Sequence, residues 1–143
     1  MIRGFDRWHV NKHKTVRCII KRDERYLLVV HNNFLPLNKG KWGFPGGRIE
    51  GGESFVDTLV RELREELSIA PGGFQHVGDY LYKDRLHRIY ATTFDEPIEW
   101  FDRSEIIEIG WHTVADIRTF DQQNRLHTGF ELKAVLDFEA LMF

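Results

Sequence analysis

Residues 46–69 read Gly46-Gly47-Arg48-Ile49-Glu50-Gly51-Gly52-Glu53-Ser54-Phe55-Val56-Asp57-Thr58-Leu59-Val60-Arg61-Glu62-Leu63-Arg64-Glu65-Glu66-Leu67-Ser68-Ile69. The first eight residues hold four glycines and cannot stay regular for long, whereas the rest has a clear helical period. Ser54 can cap the amide of Asp57 while Asp57 reaches back, so a helix is predicted from near Ser54 to about Leu67. At about 100° per residue, Val56, Leu59, Val60, Leu63 and Leu67 share one arc. Glu62, Glu65 and Glu66 share a second arc, and Asp57, Arg61 and Arg64 a third. The apolar arc requires a partner surface, and the carboxylates face one way beside it.

That surface is supplied by strands. Upstream, Thr15 to Ile20 and Arg25 to His31 are β-branched and aromatic runs separated by the polar residues 21–24, which predicts a hairpin. Asn32, Asn33, Pro36, Asn38 and Gly40 mark a loop. Downstream, Pro71-Gly72-Gly73 stops the helix. Phe74 to Tyr82, His87 to Phe94 and Ile106 to His112 follow as strands, and a last helix, Thr128 to Leu141, places Phe130, Ala134, Val135, Phe138 and Leu141 on one face. Residues 1–14 show no clean period and read as an N-terminal arm or short helix. The pattern is α/β, with helices on both faces of a mixed sheet, and 143 residues suit a single domain over 1–143.

Composition narrows the function. Apolar residues at 42% and charged residues at 29% describe a globular chain, and a net charge of −2 lacks the basic excess of a stable nucleic-acid binder. The single Cys18 can form neither an internal disulfide nor a thiolate zinc site, so it reads as packed core in a protein of a reducing compartment. No apolar run approaches the roughly 20 residues of a membrane span, and Met1 to Arg7 lacks the apolar core of a signal peptide. A cytoplasmic location without membrane contact is the expectation.

Glutamates at i, i+3 and i+4 lie within about 5–6 Å at Cβ and repel unless a cation intervenes. Taken alone, Glu62, Glu65 and Glu66 read first as a solvated acidic stripe held by Arg–Glu pairs, and only second as a metal site. The upstream context changes the reading. Gly47, five residues, Glu53, seven residues, Arg61-Glu62-Leu63, one residue, Glu65-Glu66, one residue, Ser68-Ile69 resembles the signature of the Nudix (MutT-like) hydrolases over 23 positions, with Ser68 where the family has Gly. The preceding Trp42-Gly43-Phe44-Pro45-Gly46-Gly47 is also typical of that family.

The resemblance implies an α/β/α sandwich around a mixed sheet and a Mg²⁺-dependent pyrophosphohydrolase, with Mn²⁺ a possible substitute, acting on a nucleoside diphosphate linked to another moiety. It assigns Gly47 (through its carbonyl), Glu62, Glu65 and Glu66 to the metal, with Glu65 alternatively a proton acceptor and Glu62 and Glu65 in the catalytic set. The chemistry is coherent, because a diphosphate resists attack until cations neutralise it, and Mg²⁺ prefers oxygen ligands. A further base in the family often precedes a Trp near the end of the sheet. Glu105 is the first candidate here and Glu108 the second, each equally readable as a surface carboxylate.

Arg61 reads first as an ion-pairing residue that orients Glu53 or Glu65, and second as a substrate contact. Phe44 and Trp42 suit either base stacking or a core flank of the loop, and Lys41, Lys83, Arg85 and Arg88 are candidate phosphate neutralisers at the rim. Seven histidines without ligand spacing argue against zinc. The family Gly implies a left-handed conformation at or just after the helix end, where Ser68 would cost about 1 kcal/mol; this departure bears on the helix terminus and not on the metal ligands.

Nucleoside triphosphates are the favoured substrates. Members of the family acting on ADP-ribose often carry a Pro beyond the box, where this chain reads Leu81 to Leu86 without one. Nucleotide sugars and ADP-ribose remain alternatives, as does a non-catalytic nucleotide-sensing module, although such modules usually lose box glutamates. The expected partner is a small nucleotide diphosphate derivative. Homodimerisation through the arm or a sheet edge is left open.

Overall fold

The computed structural model describes residues 14–32 and 39–142. The arm over residues 1–13 and the loop positions Asn33, Pro36 and Asn38 lie outside them. The element order is β1 (Thr15–Arg22), β2 (Arg25–His31), β3 (Trp42–Gly43), β4 (Gly46–Arg48), α1 (Phe55–Leu67), β5 (Gln75–Tyr82), β6 (Arg85–Thr93), β7 (Ile106–His112), α2 (Val114–Gln122) and α3 (Glu131–Leu141). The strands form one mixed sheet in which β1 and β6 run parallel and the other pairs are antiparallel.

The β1–β2 hairpin forms at Lys21–Tyr26 and Arg22–Arg25, and then its strands part. Strand β2 continues along β7, while Thr15, Val16 and Arg17 of β1 pair with Arg48, Gly47 and Gly46 of β4. This divergence inserts the glycine segment into the sheet beside α1. One face buries Val16, Cys18, Ile20, Leu27, Val29 and Ile106 against Leu59, Leu63 and Leu67 of α1. The other buries Ile19, Tyr26, Leu28 and Ile89 against Ile117 of α2 and Ala134, Val135 and Phe138 of α3. Fully burying each such aliphatic side chain contributes about 1.5–3 kcal/mol, so the helices are held mainly by their sheet-facing stripes.

Helix α1 begins as expected. Ser54 Oγ accepts from Asp57 N–H at 3.0 Å, and Asp57 accepts from Ser54 N–H at 3.3 Å. It ends at Ser68, with φ 54° and ψ 40°. Ser68→Gly is therefore expected to stabilise the protein by about 1 kcal/mol, raising Tm by a few degrees in a thermal melt; an unchanged or lower Tm would show that Ser68 is not strained.

Three expectations are corrected. Val56 is 38% exposed, and Thr58 and Glu66 take interior places on the α1 stripe instead. The last helix starts at Glu131 rather than Thr128, and Leu141 is exposed. Helix α2 was not foreseen, although Thr113 and Asp116 form a reciprocal capping box like that of α1.

Candidate active site

Glu66 is the least ordinary side chain of α1. The carboxylate arc of the helix adjoins its apolar arc, so the last glutamate turns inward and is only 4% exposed. One of its oxygens accepts from Gly46 N–H at 3.0 Å. Burial, reinforced by the charge of Glu62 one turn earlier, pushes its carboxyl up to about 8, against the opposing pull of Arg17 and the Gly46 amide. Glu62 is raised by burial as well. The helix therefore holds two carboxyl groups whose ionisation is resisted unless positive charge arrives.

The glycines let the chain approach these acids. Gly46 has φ 144°, and a Cβ there would enter the Val16 carbonyl. A Cβ on Gly47 would lie 2.6 Å from the Glu62 carboxyl carbon. Only glycine at 47 leaves this space beside Glu62 open.

Arg61 organises the solvent side. Its Nε donates to Glu53 at 2.8 Å and one terminal nitrogen to the other Glu53 oxygen at 3.1 Å. The second terminal nitrogen donates to Glu62 at 3.0 Å and to Glu65 at 3.3 Å, and Glu50 lies 3.5 Å from the first. Hydrogen bonds from Arg61 and Thr58 hold the Glu53 carboxyl down at about 2. Arg61 is thus engaged by four carboxylates, an arrangement suited to orienting them. Glu65 remains open, with its side chain 58% exposed.

The remaining candidates fall differently. Phe44 has no exposed surface, so its ring offers no face to a base, and Trp42, 6% exposed, packs on Phe120. Of the two readings held open for these rings, the structure places both in the core. Lys41 is half-buried, and its charge acts on His127. Glu105 is exposed, and its charge contributes to raising Glu66; Glu108 is exposed on β7 opposite Val30. Arg88 is held by both oxygens of Asp79 at 2.8 and 2.9 Å. Cys18 is fully buried, and burial raises its thiol.

Sequence reasoning missed Arg17 and His31. Arg17 donates to the Phe44 carbonyl at 2.9 Å and lies 3.3 Å from His31 Nε2. His31 Nδ1 in turn lies 3.9 Å from Glu66. Burial, aided by Arg17, holds the imidazole down at about 3, so this approach is not an ion pair at neutral pH. The available signal was one charged residue inside the apolar run Val16 to Ile20.

Among the described residues, no three His, Cys, Asp or Glu side chains come together as a metal-holding group, so a cation here would rest on fewer side chains. An open site suits Mg²⁺, which is commonly held by one or two carboxylates plus waters and substrate phosphates. The buried, charge-resisting Glu62–Glu66 pair and the space kept by Gly47 fit such an ion.

Comparison with known proteins agrees with this geometry. The family model described as NUDIX domain matches residues 11–130. The chain is 28% identical over 115 residues to the uncharacterized Nudix hydrolase YvcI of Bacillus subtilis, covering 73% of this chain and 68% of that one. It is 41% identical over 68 residues to the CTP pyrophosphohydrolase of Escherichia coli, covering 48% of this chain and 47% of that protein. Curated relatives at 36–41% identity are matched over only 12–47% of their own length. The fold matches the NUDIX domain of Shewanella oneidensis NrtR, solved with ADP ribose, at a TM-score of 0.73 and 18% identity, covering 91% of this chain and 88% of that one. With its signature glycine and glutamates gathered at one end of a mixed sheet between helices, the chain belongs to the Nudix hydrolase family.

Proposed function

We propose that this chain, acting as one catalytic domain, hydrolyses a phosphoanhydride bond in a nucleoside diphosphate linked to a second group, with nucleoside triphosphates the leading substrates and Mg²⁺ the metal. The observation that carries the reading is the inward-facing Glu66, kept against its ionisation beside Glu62. The relative named CTP pyrophosphohydrolase supports the substrate class. Glu62, Glu66 and the Gly47 carbonyl would hold Mg²⁺, which when bound supplies charge neutralisation and acidifies a water.

The protein residues carry the rest. Arg61 keeps Glu53, Glu62 and Glu65 in fixed relation. Glu65, with an exposed carboxylate, takes the proton as water attacks one phosphorus; Glu105, whose charge reaches Glu66, is the second candidate for that role. The new P–O bond forms as the bond to the bridging oxygen breaks, and the electron pair leaves with the departing phosphate.

The test is a panel of nucleoside triphosphates, ADP-ribose, nucleotide sugars and dinucleoside polyphosphates, with Mg²⁺ or with EDTA, followed by mass analysis of products. Triphosphate cleavage to a monophosphate and pyrophosphate, lost in EDTA, is expected. Tight binding of one member without turnover of any would overturn the enzymatic reading in favour of a sensing module.

A further inference from the structure

Where α1 ends, the connection from β6 to β7 meets it and the two leave a groove of about 410 Å³. The buried Leu67 and Ile69 and the half-buried Phe94 give this groove an apolar base. Trp100 stands at its rim with 52% of its surface exposed. Among the described residues no other ring and no cation packs on that indole. A tryptophan left open beside an apolar groove is the kind of side chain that anchors a protein contact.

Charge indicates what covers it. Glu96 and Glu99 line the groove and are exposed, no basic side chain lines it, and among the described residues neither carboxylate takes part in an ion pair. Arg22, beside the same connection, donates to the carbonyls of Phe94, at 3.0 Å, and Glu96 and lies over the ring of Trp111, so its charge is engaged with the main chain. The end of α1 adds the negative pole of the helix. Phosphates, nucleic acid and anionic lipid are therefore repelled. A guanidinium suits all three features, since its planar fork matches carboxylates and its face stacks on an indole. A small free cation would leave the apolar base and the Trp100 ring uncovered, whereas a segment carrying both apolar and basic side chains covers them together.

We propose that this groove docks an arginine-bearing segment of a partner protein, with a guanidinium stacked on Trp100 and paired with Glu96 and Glu99. Docking here is independent of the hydrolase reading. The groove lies outside the proposed catalytic residues, yet the same connection reaches them: further along it, Asp102 N–H donates to the Glu66 carbonyl at 2.9 Å. Fluorescence anisotropy with three labelled dodecapeptides, built of repeated Gly-Arg-Leu, Gly-Lys-Leu or Gly-Glu-Leu, tests the proposal. Mg²⁺ is present throughout, and wild type is compared with Trp100→Ala and with the double variant Glu96→Gln/Glu99→Gln, each checked for folding by thermal melting.

Wild type should bind the arginine peptide, the lysine peptide more weakly and the glutamate peptide not at all, with affinity falling as salt rises. Trp100→Ala and the double variant should each weaken the arginine peptide about tenfold or more, the scale of one lost anchor at an interface. Should Trp100→Ala fail to fold, the double variant decides, because both of its altered side chains are exposed. Equal affinity in wild type and the folded variants would place the peptide elsewhere, such as on the acids of α1, and overturn the proposal. So would absence of binding up to about 1 mM peptide, or displacement of the peptide by an equal concentration of spermine, which carries charge without a planar fork. Sedimentation showing self-association of wild type that Trp100→Ala abolishes would make a second copy the occupant and overturn it as well.

Discussion

Glu66→Gln is expected to lower metal-dependent turnover by about 10³-fold or more, the scale of losing several kcal/mol of charge stabilisation. The same change should make the metal-free protein more stable at alkaline pH. Glu66 is buried and its carboxyl is raised from an ordinary 4.5 to about 8. A raised acid favours the folded state while it is protonated. That contribution is complete below about pH 4.5 and is lost as pH rises through about 8, when the folded protein must ionise a group the unfolded chain ionised long before. Glutamine keeps the oxygen that accepts from Gly46 N–H and carries no charge to ionise. Melts in EDTA between pH 5 and 9 should show wild-type stability falling by on the order of a few kcal/mol, with the fall absent in Glu66→Gln. Parallel pH profiles for the two proteins would contradict the assignment of the buried charge to this residue.

Arg61→Ala is expected to lower kcat by about 10²-fold, the scale of misplacing catalytic groups by an ångström. Arg61 bonds Glu53 through both oxygens and bridges onward to Glu62 and Glu65. Without it these carboxylates repel and move apart. If Arg61 acts by orientation, the loss falls in kcat, more Mg²⁺ is needed for half-maximal rate, and Glu53→Gln reproduces much of the effect. The two losses should not add in the double variant, because both break one ion-pair network. A rise in substrate KM with kcat intact would instead make Arg61 a direct substrate contact. Arg61→Lys should not restore full activity, since an ammonium cannot reproduce the two-point contact with Glu53.

What was legible in the sequence follows from how local each signal is. The limits of α1 and its capping box depend on neighbours within four residues, so periodicity and capping chemistry place them closely, whereas the left-handed conformation at Ser68 was signalled only by the glycine the family has there. Strands β2 and β7 match because their β-branched and aromatic runs are bounded by polar residues, a signal carried within each run. Helix α2 escaped because its apolar signal is thin: Ile117 is its one fully buried residue, which leaves its cap as the main sign.

The site divides along the same line. Glu53, Arg61, Glu62, Glu65 and Glu66 lie within fourteen residues of one another, and their shared helix face is arithmetic. Arg17 and His31 meet only in the folded sheet, with β1 and β2 each supplying one residue. A chain that spreads its histidines over a hundred positions gives no spacing to read. Phe44 stayed open in the sequence, since an aromatic beside a glycine loop suits base and core alike, and only its burial separates the two.

The central claim is that the Glu62–Glu66 pair is a divalent-cation site, and titration of Mn²⁺ into metal-free wild type and Glu66→Gln, followed by the loss of the free-ion spectroscopic signal, addresses it without depending on substrate. Wild type should bind at least about tenfold more tightly than the variant, the scale of one lost ligand-supporting interaction, with affinity rising between pH 6 and 8 as Glu66 gives up its proton. Equal affinity in the two proteins across that pH range would contradict the account.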